Sequence, residues 1–592
     1  MRKTTIRILY GSSVLCPLSS VPCPLSRSRG ILLFLAFACL LGRPALATAA
    51  EKTRLDPPRL AVLVFFDQLR GDYLARWEGL FEEGGFRRLQ QNGAWFQRCH
   101  YPYAYTVTGA GHASVAAGCS PDKHGIVGND WYERGAGTAV NCVSSERYER
   151  VPLVVRGQER GASKKKGALA PDRLLAPTLA DALKLATRGE GKVVALSWKD
   201  RAAILPGGQA PNACYWMDAA TGTFVTSTYY RPRLHPWVED YNRARPADQW
   251  QGKEWTRLRP ALDYARFSGP DDVAGEGQGF MQGRTFPHPF GGGLSRLRPL
   301  YYGALFNSPF GNEVLLGLAK RAIEGERLGT RNVPDLLCLS FSSNDAIGHC
   351  WGPDSQEVLD VTLRSDLLVR ELLTFLDDKV GKGRYVLALT ADHGICPLPE
   401  VSRRAGREAA RIPSSLLGSQ AEKLLDEEFG GSKDHARWVE ATSGPWVYLN
   451  RKLIEESKLK PADVEDALAT WLKKQKGVQT AYTRHALLRG VPTADRIGQS
   501  VRRSFYSDRS GDIFVVLKPY HLLSSPLSTG TTHGTPHAYD THVPLLVYGP
   551  GIVKGVRKDE VTPQSAAAIL SRALRIKAPA HADAAVPERL FK

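Results

Sequence analysis

Five short, almost purely apolar runs constrain this chain more than any other feature. They are Leu60 to Phe66, Val193 to Ser197, Leu336 to Phe341, Tyr385 to Thr390 and Pro544 to Tyr548. Each has the length and the β-branched or aliphatic content of a strand buried on both faces, the kind found in parallel sheets. Helical patterns lie between several of them, and in Glu313 to Ile323 and Gln356 to Leu376 apolar residues recur at three and four. The alternation predicts an α/β fold with a mostly parallel central sheet flanked by helices. With 592 residues, 43% hydrophobic and 23% charged, the chain has ample material for one large core. Ligands of such sheets sit beyond the carboxyl ends of the strands, so the residues just after each run matter most for function.

Two stretches break the pattern. From about Leu205 to Phe310 the chain turns to Gly, Pro, Trp and Tyr with little periodicity, as in Gly291 to Arg298, which predicts an insertion capping the core. Roughly Pro399 to Leu527 is also irregular, but contains Trp446-Val447-Tyr448-Leu449 and a helix-like Ala462 to Lys474, and is expected to form a second lobe of the domain that begins near residue 55. No internal repeat or low-complexity tract is present.

The first fifty residues carry Arg2, Lys3, Arg7, Arg27, Arg29 and Arg43 with no acidic residue, around an apolar stretch from Ile31 to Gly42. A run of about twelve residues falls short of the roughly twenty that span a bilayer, and Ala45-Leu46-Ala47-Thr48-Ala49 supplies the small residues a signal peptidase reads. The expectation is a signal peptide over residues 1–50, cleaved near Ala49 or Ala50, a periplasmic or secreted protein, and no stable membrane span. The long basic segment before the apolar run reflects either an extended leader or a start site placed too far upstream.

Removing the six leader charges from the formal +18 leaves +12, spread without any run of five like charges. Lys164-Lys165-Lys166 is the densest cluster and reads as a solvated loop, so no nucleic-acid partner is expected. Such a field still attracts anionic substrates. Seven cysteines follow the leader, an odd number, so at least one is unpaired within the chain. With no CxxC, a thiolate zinc site has no support, and Cys338 inside an apolar run reads as a buried thiol.

Potential metal ligands stand beside four of the five runs. Asp67 follows the first, Asp345 and His349 follow Leu336 to Phe341, Asp392 and His393 follow Tyr385 to Thr390, and His533 precedes the last. An Asp at a strand end is ordinarily a helix cap or turn former. Three Asp and three His in this arrangement instead suit two zinc ions with mixed oxygen and nitrogen ligands. A second constellation is Thr106-Val107-Thr108-Gly109-Ala110-Gly111-His112, followed by His124-Gly125-Ile126-Val127-Gly128-Asn129. Taken alone it is a Gly-rich turn. A small-residue turn entering a helix also suits phosphate, because amides at a helix N-terminus favour the anion.

With these motifs the sequence resembles the alkaline phosphatase superfamily, specifically its nucleotide pyrophosphatase/phosphodiesterase-like branch, whose nucleophile is a Thr or Ser four residues before a His. It is most similar to the bacterial phosphate-irrepressible alkaline phosphatases that use threonine, over about Leu60 to Gly551. The resemblance implies Thr108 as nucleophile and metal neighbour, and Asn129 as a contact to the phosphoryl oxygens. It implies the same contact for Lys199 and Arg201 of Ser197-Trp198-Lys199-Asp200-Arg201, whose alternative is a surface ion pair with Asp200. It further implies one zinc held by Asp67, Asp392 and His393 and another by Asp345, His349 and His533. His537 and His542 lie near His533; the relatives' pattern of His-Gly followed by Tyr-Asp favours His533, leaving His542 as a hydrogen-bonded core residue. The implied activity is hydrolysis of small-molecule phosphate monoesters through a phosphothreonine, the Lys-x-Arg pair favouring a dianion over a diester. The alternatives are a phosphodiesterase or nucleotide pyrophosphatase using the same site, and an exported binding protein that has lost activity.

Overall fold

The computed structural model describes residues 56–153, 169–291, 297, 299–431, 436–525 and 527–592. The expected signal peptide, the Lys164–Lys166 cluster and most of Gly291 to Arg298 lie outside these residues. Among the described residues, no helix is long and apolar enough to cross a membrane.

A ten-stranded sheet forms the centre. In spatial order its strands are Gly555–Val561, Ala94–Cys99, Leu545–Tyr548, Tyr385–Thr390, Leu60–Phe66, Asp335–Phe341, Val193–Ser197, Ala213–Asp218, Thr223–Ser227 and Arg150–Val151. The five from Tyr385–Thr390 to Ala213–Asp218 are mutually parallel. Every residue of Leu60–Phe66 is inaccessible to solvent, as a strand covered on both faces requires. Helices Phe310–Glu326 and Gln356–Leu376 contribute their apolar stripes to the same core.

Register places the site. Phe66 lies opposite Phe341, and Phe65 opposite Thr390, so three neighbouring parallel strands end almost level. The residues that follow them are therefore delivered to one edge of the sheet.

Two expectations need correction. The last apolar run begins its strand at Leu545, after Pro544, and is antiparallel to both Tyr385–Thr390 and Ala94–Cys99. A run buried on both faces carries no signal of direction, which is why its composition suggested a parallel strand. Within the stretch expected as an insertion from Leu205, Ala213–Asp218 and Thr223–Ser227 belong to the central sheet. Only the remainder, with short helices such as Pro236–Arg243 and the paired segments Glu254–Trp255 and His288–Pro289, lies outside the sheet, and it packs on it through Asn242, which bonds both backbone groups of Phe224.

Between residues 399 and 527 lies a four-stranded sheet in the order Val439–Ser443, Trp446–Leu449, Ile513–Leu517, Val478–Thr483. Its two inner strands have two apolar faces. Trp446, Tyr448, Phe514 and Val516 join the central core, while Val447, Leu449, Ile513, Val515 and Leu517 pack into a separate cluster with Leu425 and Leu468 of helices Ser419–Phe429 and Pro461–Lys473. The seven described cysteines are all unpaired, Cys338 among the buried ones.

Candidate active site

At the level ends of the strands, Asp67 directly follows Leu60–Phe66 and its amide donates to the Phe341 carbonyl at 2.9 Å. Asp345 and His349 occupy one face of helix Ser343–Trp351, and His349 Nε2 lies 3.1 Å from Asp345 Oδ1. Asp392 and His393 come two and three residues after Thr390. His533 arrives from the loop before the last strand, stacked on His393 with ring centres 3.4 Å apart, and its Nδ1 donates to the Thr106 carbonyl at 2.7 Å.

Donor atoms converge in two groups. One is Asp67, Asp392 and His393; the other is Asp345, His393 and His533, in each case with ligand atoms within 4.8 Å of one another. His393 thus faces both, whereas His349 stands beside the second group, its Nδ1 bonded to the Thr531 carbonyl at 2.7 Å. His537 and His542 point elsewhere: His537 Nε2 meets the Leu517 carbonyl and His542 Nε2 the Gln97 carbonyl, both at 2.8 Å.

These groups suit divalent cations. Asp67 Oδ1 and Asp392 Oδ2 are buried without a hydrogen-bond partner, an arrangement that costs free energy unless a cation completes it. Three carboxylates and neutral imidazoles are a donor set that zinc accepts. Burial raises the Asp67 carboxyl well above the usual carboxylate range, and Asp392 adds to the effect. Burial alone would raise Asp345 too, but His349 and Lys199 overcome it and hold its carboxyl well below that range. Burial and the adjacent His393 and His349 rings push His533 far down, which keeps it neutral and its Nε2 lone pair available.

Thr108 opens helix Thr108–Ala117 and is 1% exposed. Its Oγ1 lies 3.4 Å from His393 Nε2 and 3.4 Å from Lys199 Nζ. His112, one turn on, braces this start: its Nδ1 meets the Thr108 carbonyl at 2.9 Å, its Nε2 meets Ser340 Oγ at 2.9 Å, and Phe65 stacks on the ring. Gly111 lets the helix approach, since a Cβ there would sit 2.3 Å from the Asp392 carbonyl oxygen. Asn129 Oδ1 accepts from the Gly109 amide at 2.7 Å, which leaves its amide nitrogen free to donate.

Lys199 does not pair with Asp200. Its ammonium lies between Asp67 and Asp345, 2.6 Å from an oxygen of each. Arg201 does reach Asp200, at 3.7 Å, while its Nε is buried without a hydrogen-bond partner.

Sequence reasoning missed Gln68. It adopts a left-handed φ of 70°, unusual for glutamine, and is 3% exposed. Its amide donates to Asp392 Oδ1 at 3.0 Å and its Nε2 to Asp345 Oδ1 at 2.6 Å, so a residue that follows the central one of three strands ties together the carboxylates that follow the other two. Gly348 makes room for it, because a Cβ there would lie 1.8 Å from Gln68 Oε1. The available signal was its place next to Asp67 in Phe66-Asp67-Gln68, but the conformation that aims it is not written in composition.

The chain is similar to known proteins over most of its length. The family described as type I phosphodiesterase / nucleotide pyrophosphatase matches residues 61–540. The alkaline phosphatase PafA of Elizabethkingia meningoseptica is 35% identical over 537 residues, covering 90% of this chain and 94% of the relative. The alkaline phosphatase PhoV of Synechococcus elongatus is 32% identical over 540 residues, covering 90% and 93%. A crystal structure of wild-type PafA superposes with a TM-score of 0.82 at 33% identity, covering 91% of this chain and 99% of that one.

Proposed function

Since the chain belongs to the type I phosphodiesterase/nucleotide pyrophosphatase family of the alkaline phosphatase superfamily and is a phosphoester hydrolase, we propose that it hydrolyses small phosphate monoesters with Thr108 as the nucleophile and zinc at both donor groups. The observation that carries the reading is Lys199. A buried ammonium lies 3.4 Å from Thr108 Oγ1, with Arg201 two residues on, and cations held by its present partners Asp67 and Asp345 would leave it to meet a phosphoryl group. A monoester dianion presents more charge to such a pair than a diester does.

Asp67, Asp392 and His393 would hold one zinc and Asp345, His349 and His533 the other, with His393 close enough to both to fix their spacing. Zinc bound there supplies Lewis acidity, favouring the ionised hydroxyl of Thr108 and offsetting charge on the departing oxygen. The chain's own groups do the rest. The helix entered at Thr108 holds Oγ1 in place through the His112 brace. Asn129 Nδ2, Lys199 Nζ and the Arg201 guanidinium hold the non-bridging oxygens as the phosphoryl group passes through a loose transition state. Oγ1 forms a bond to phosphorus as the ester oxygen leaves with a proton, giving a phosphothreonine and an alcohol. Water then attacks phosphorus from the vacated side, inorganic phosphate departs, and the Thr108 hydroxyl is restored.

The basic leader and short apolar run before Ala49 support export to the periplasm or beyond. The test of function is a pair of esters with the same leaving group, one a monoester and one a diester, given to the zinc-loaded protein. Preference for the monoester is expected; a large preference for the diester would assign the chain to the phosphodiesterases instead. Release of the leaving group from neither ester would leave a binding protein.

A further inference from the structure

Helix Thr108–Ala117 and the loop that leads to Asn129 are joined by side chains at two places. Asn129 Oδ1 accepts from the Gly109 amide at 2.7 Å, one residue past Thr108. Five residues further along the helix, Ser114 Oγ lies 2.8 Å from Nε2 of His124, five residues before Asn129. Ser114 and His124 are both inaccessible to solvent. Among the described residues, no other side-chain hydrogen bond joins this loop to the helix. Five helical residues advance about 7.5 Å, whereas five residues of extended chain could span about 17 Å, so the loop has length to spare. It also contains Gly125, at a left-handed φ of 74°, and Gly128. Ile126 and Val127 pack into the core, but apolar packing tolerates a shift that a directional hydrogen bond does not.

The imidazole bridges in one form. The Ile126 amide donates to His124 Nδ1 at 3.1 Å, so that nitrogen carries no proton. The neutral ring then holds its proton on Nε2 and donates it to Ser114 Oγ. Burial, with Arg509 adding to it, lowers His124 to about 3, and the ring keeps this form near neutral pH. The bond to Ser114 therefore sets how far along the helix the loop sits, and with it where Asn129 stands beside Thr108.

We propose that His124 is a positioning residue for phosphoryl recognition: through Ser114 it fixes the loop along the nucleophile helix, so that the Asn129 amide is aligned with Thr108 before substrate arrives. The assignment rests on the monoesterase reading above, in which Asn129 meets the phosphoryl oxygens. A double-mutant cycle on the zinc-loaded enzyme tests it, read as kcat/KM for glycerol phosphate. Ser114→Ala removes the acceptor and leaves a good helix former, and is expected to cost about tenfold. In an Asn129→Ala background the same change is expected to cost less than about twofold, because no amide remains to be aligned. Equal costs in the two backgrounds would overturn the proposal and reduce the bond to a support of the helix. His124→Gln, whose amide nitrogen still reaches Ser114, should keep more activity than the shorter His124→Asn. Equal losses in that pair would also overturn it, and the pair decides alone should Ser114→Ala fail to fold. If Asn129→Ala by itself leaves kcat/KM unchanged, the proposal falls while the monoesterase stands. If wild-type enzyme releases no phosphate from glycerol phosphate, the monoesterase reading falls and takes the proposal with it.

Discussion

Two sheets meet at this site and contribute opposite things to it. The central sheet offers strands hidden on both faces, whose ends carry Asp67, Asp345 and Asp392, and it buries charge. The lobe's four-stranded sheet turns one apolar face to its own helices and the other to the core, and lends the site Phe514 and Val516 but no ionised group. Buried charges hold position only where the backbone beneath them cannot shift, and a multistranded parallel core supplies that rigidity. Apolar walls tolerate variation, because shape and burial rather than angle set their contribution.

The largest expected effects lie on the central-sheet side. Thr108→Ala removes the attacking oxygen and should lower turnover by about 10³-fold or more while zinc content and phosphate binding persist. Metal analysis and phosphate titration of the variant check this, and substantial residual turnover would move the nucleophile elsewhere. Lys199→Ala should cost about 10²-fold on a monoester and about tenfold or less on the matched diester. Equal losses would remove Lys199 as the selector between the two.

Gln68 tests whether positioning is as important as the ligands themselves. Without its Nε2 donor, Asp345 loses a 2.6 Å bond that fixes its carboxylate. Gln68→Asn tolerates the left-handed backbone but cannot reach as far, and should weaken metal retention by about tenfold to a hundredfold, read as faster zinc loss to a chelator. Retention like that of the wild type would reduce Gln68 to a packing residue.

The same contrast explains what the sequence made legible. Core strands were visible because burial on both faces forces continuous apolar runs, and the candidate ligands could be picked out because parallel strands deliver the residues after them to one edge. Ala94–Cys99 escaped because Gln97 and Arg98 interrupt its apolar run near one side of the sheet, and Gly555–Val561 because an edge strand exposes half its residues. The lobe strands were read only as an irregular stretch, apart from Trp446 to Leu449: Val439–Ser443 and Val478–Thr483 mix polar with apolar residues, whereas Ile513–Leu517 is as apolar as the core runs and was legible. Gln68 was illegible for another reason. Its function depends on a positive φ and on partners 277 and 324 residues away, which no local pattern records.

On the lobe side, Leu468→Ala should lower stability by about 2 to 5 kcal/mol, because the side chain is fully buried in the separate cluster. Below its melting temperature the variant should keep nearly full turnover on glycerol phosphate. A loss of turnover comparable to that of Lys199→Ala would show that the lobe shapes the chemistry.

The smallest effect concerns how the two regions treat a buried carboxyl. In the core, His349 and Lys199 overcome burial and hold Asp345 low, whereas in the lobe burial prevails and Glu465 is raised above the usual range. His485, whose Nδ1 lies 2.8 Å away, Asp512, which opposes it, and Arg484 are charged or titratable neighbours of Glu465. A carboxyl raised in the folded state binds its proton more tightly there than in the unfolded chain. Its contribution to stability is therefore complete below the unfolded value and is lost as pH rises through the folded one. Glu465→Gln mimics the protonated form, so its melting temperature should match that of the wild type near about pH 4 and exceed it slightly above neutrality. If the variant is instead the less stable one above neutrality, His485 holds Glu465 as an ion pair, and the lobe manages buried charge as the core does.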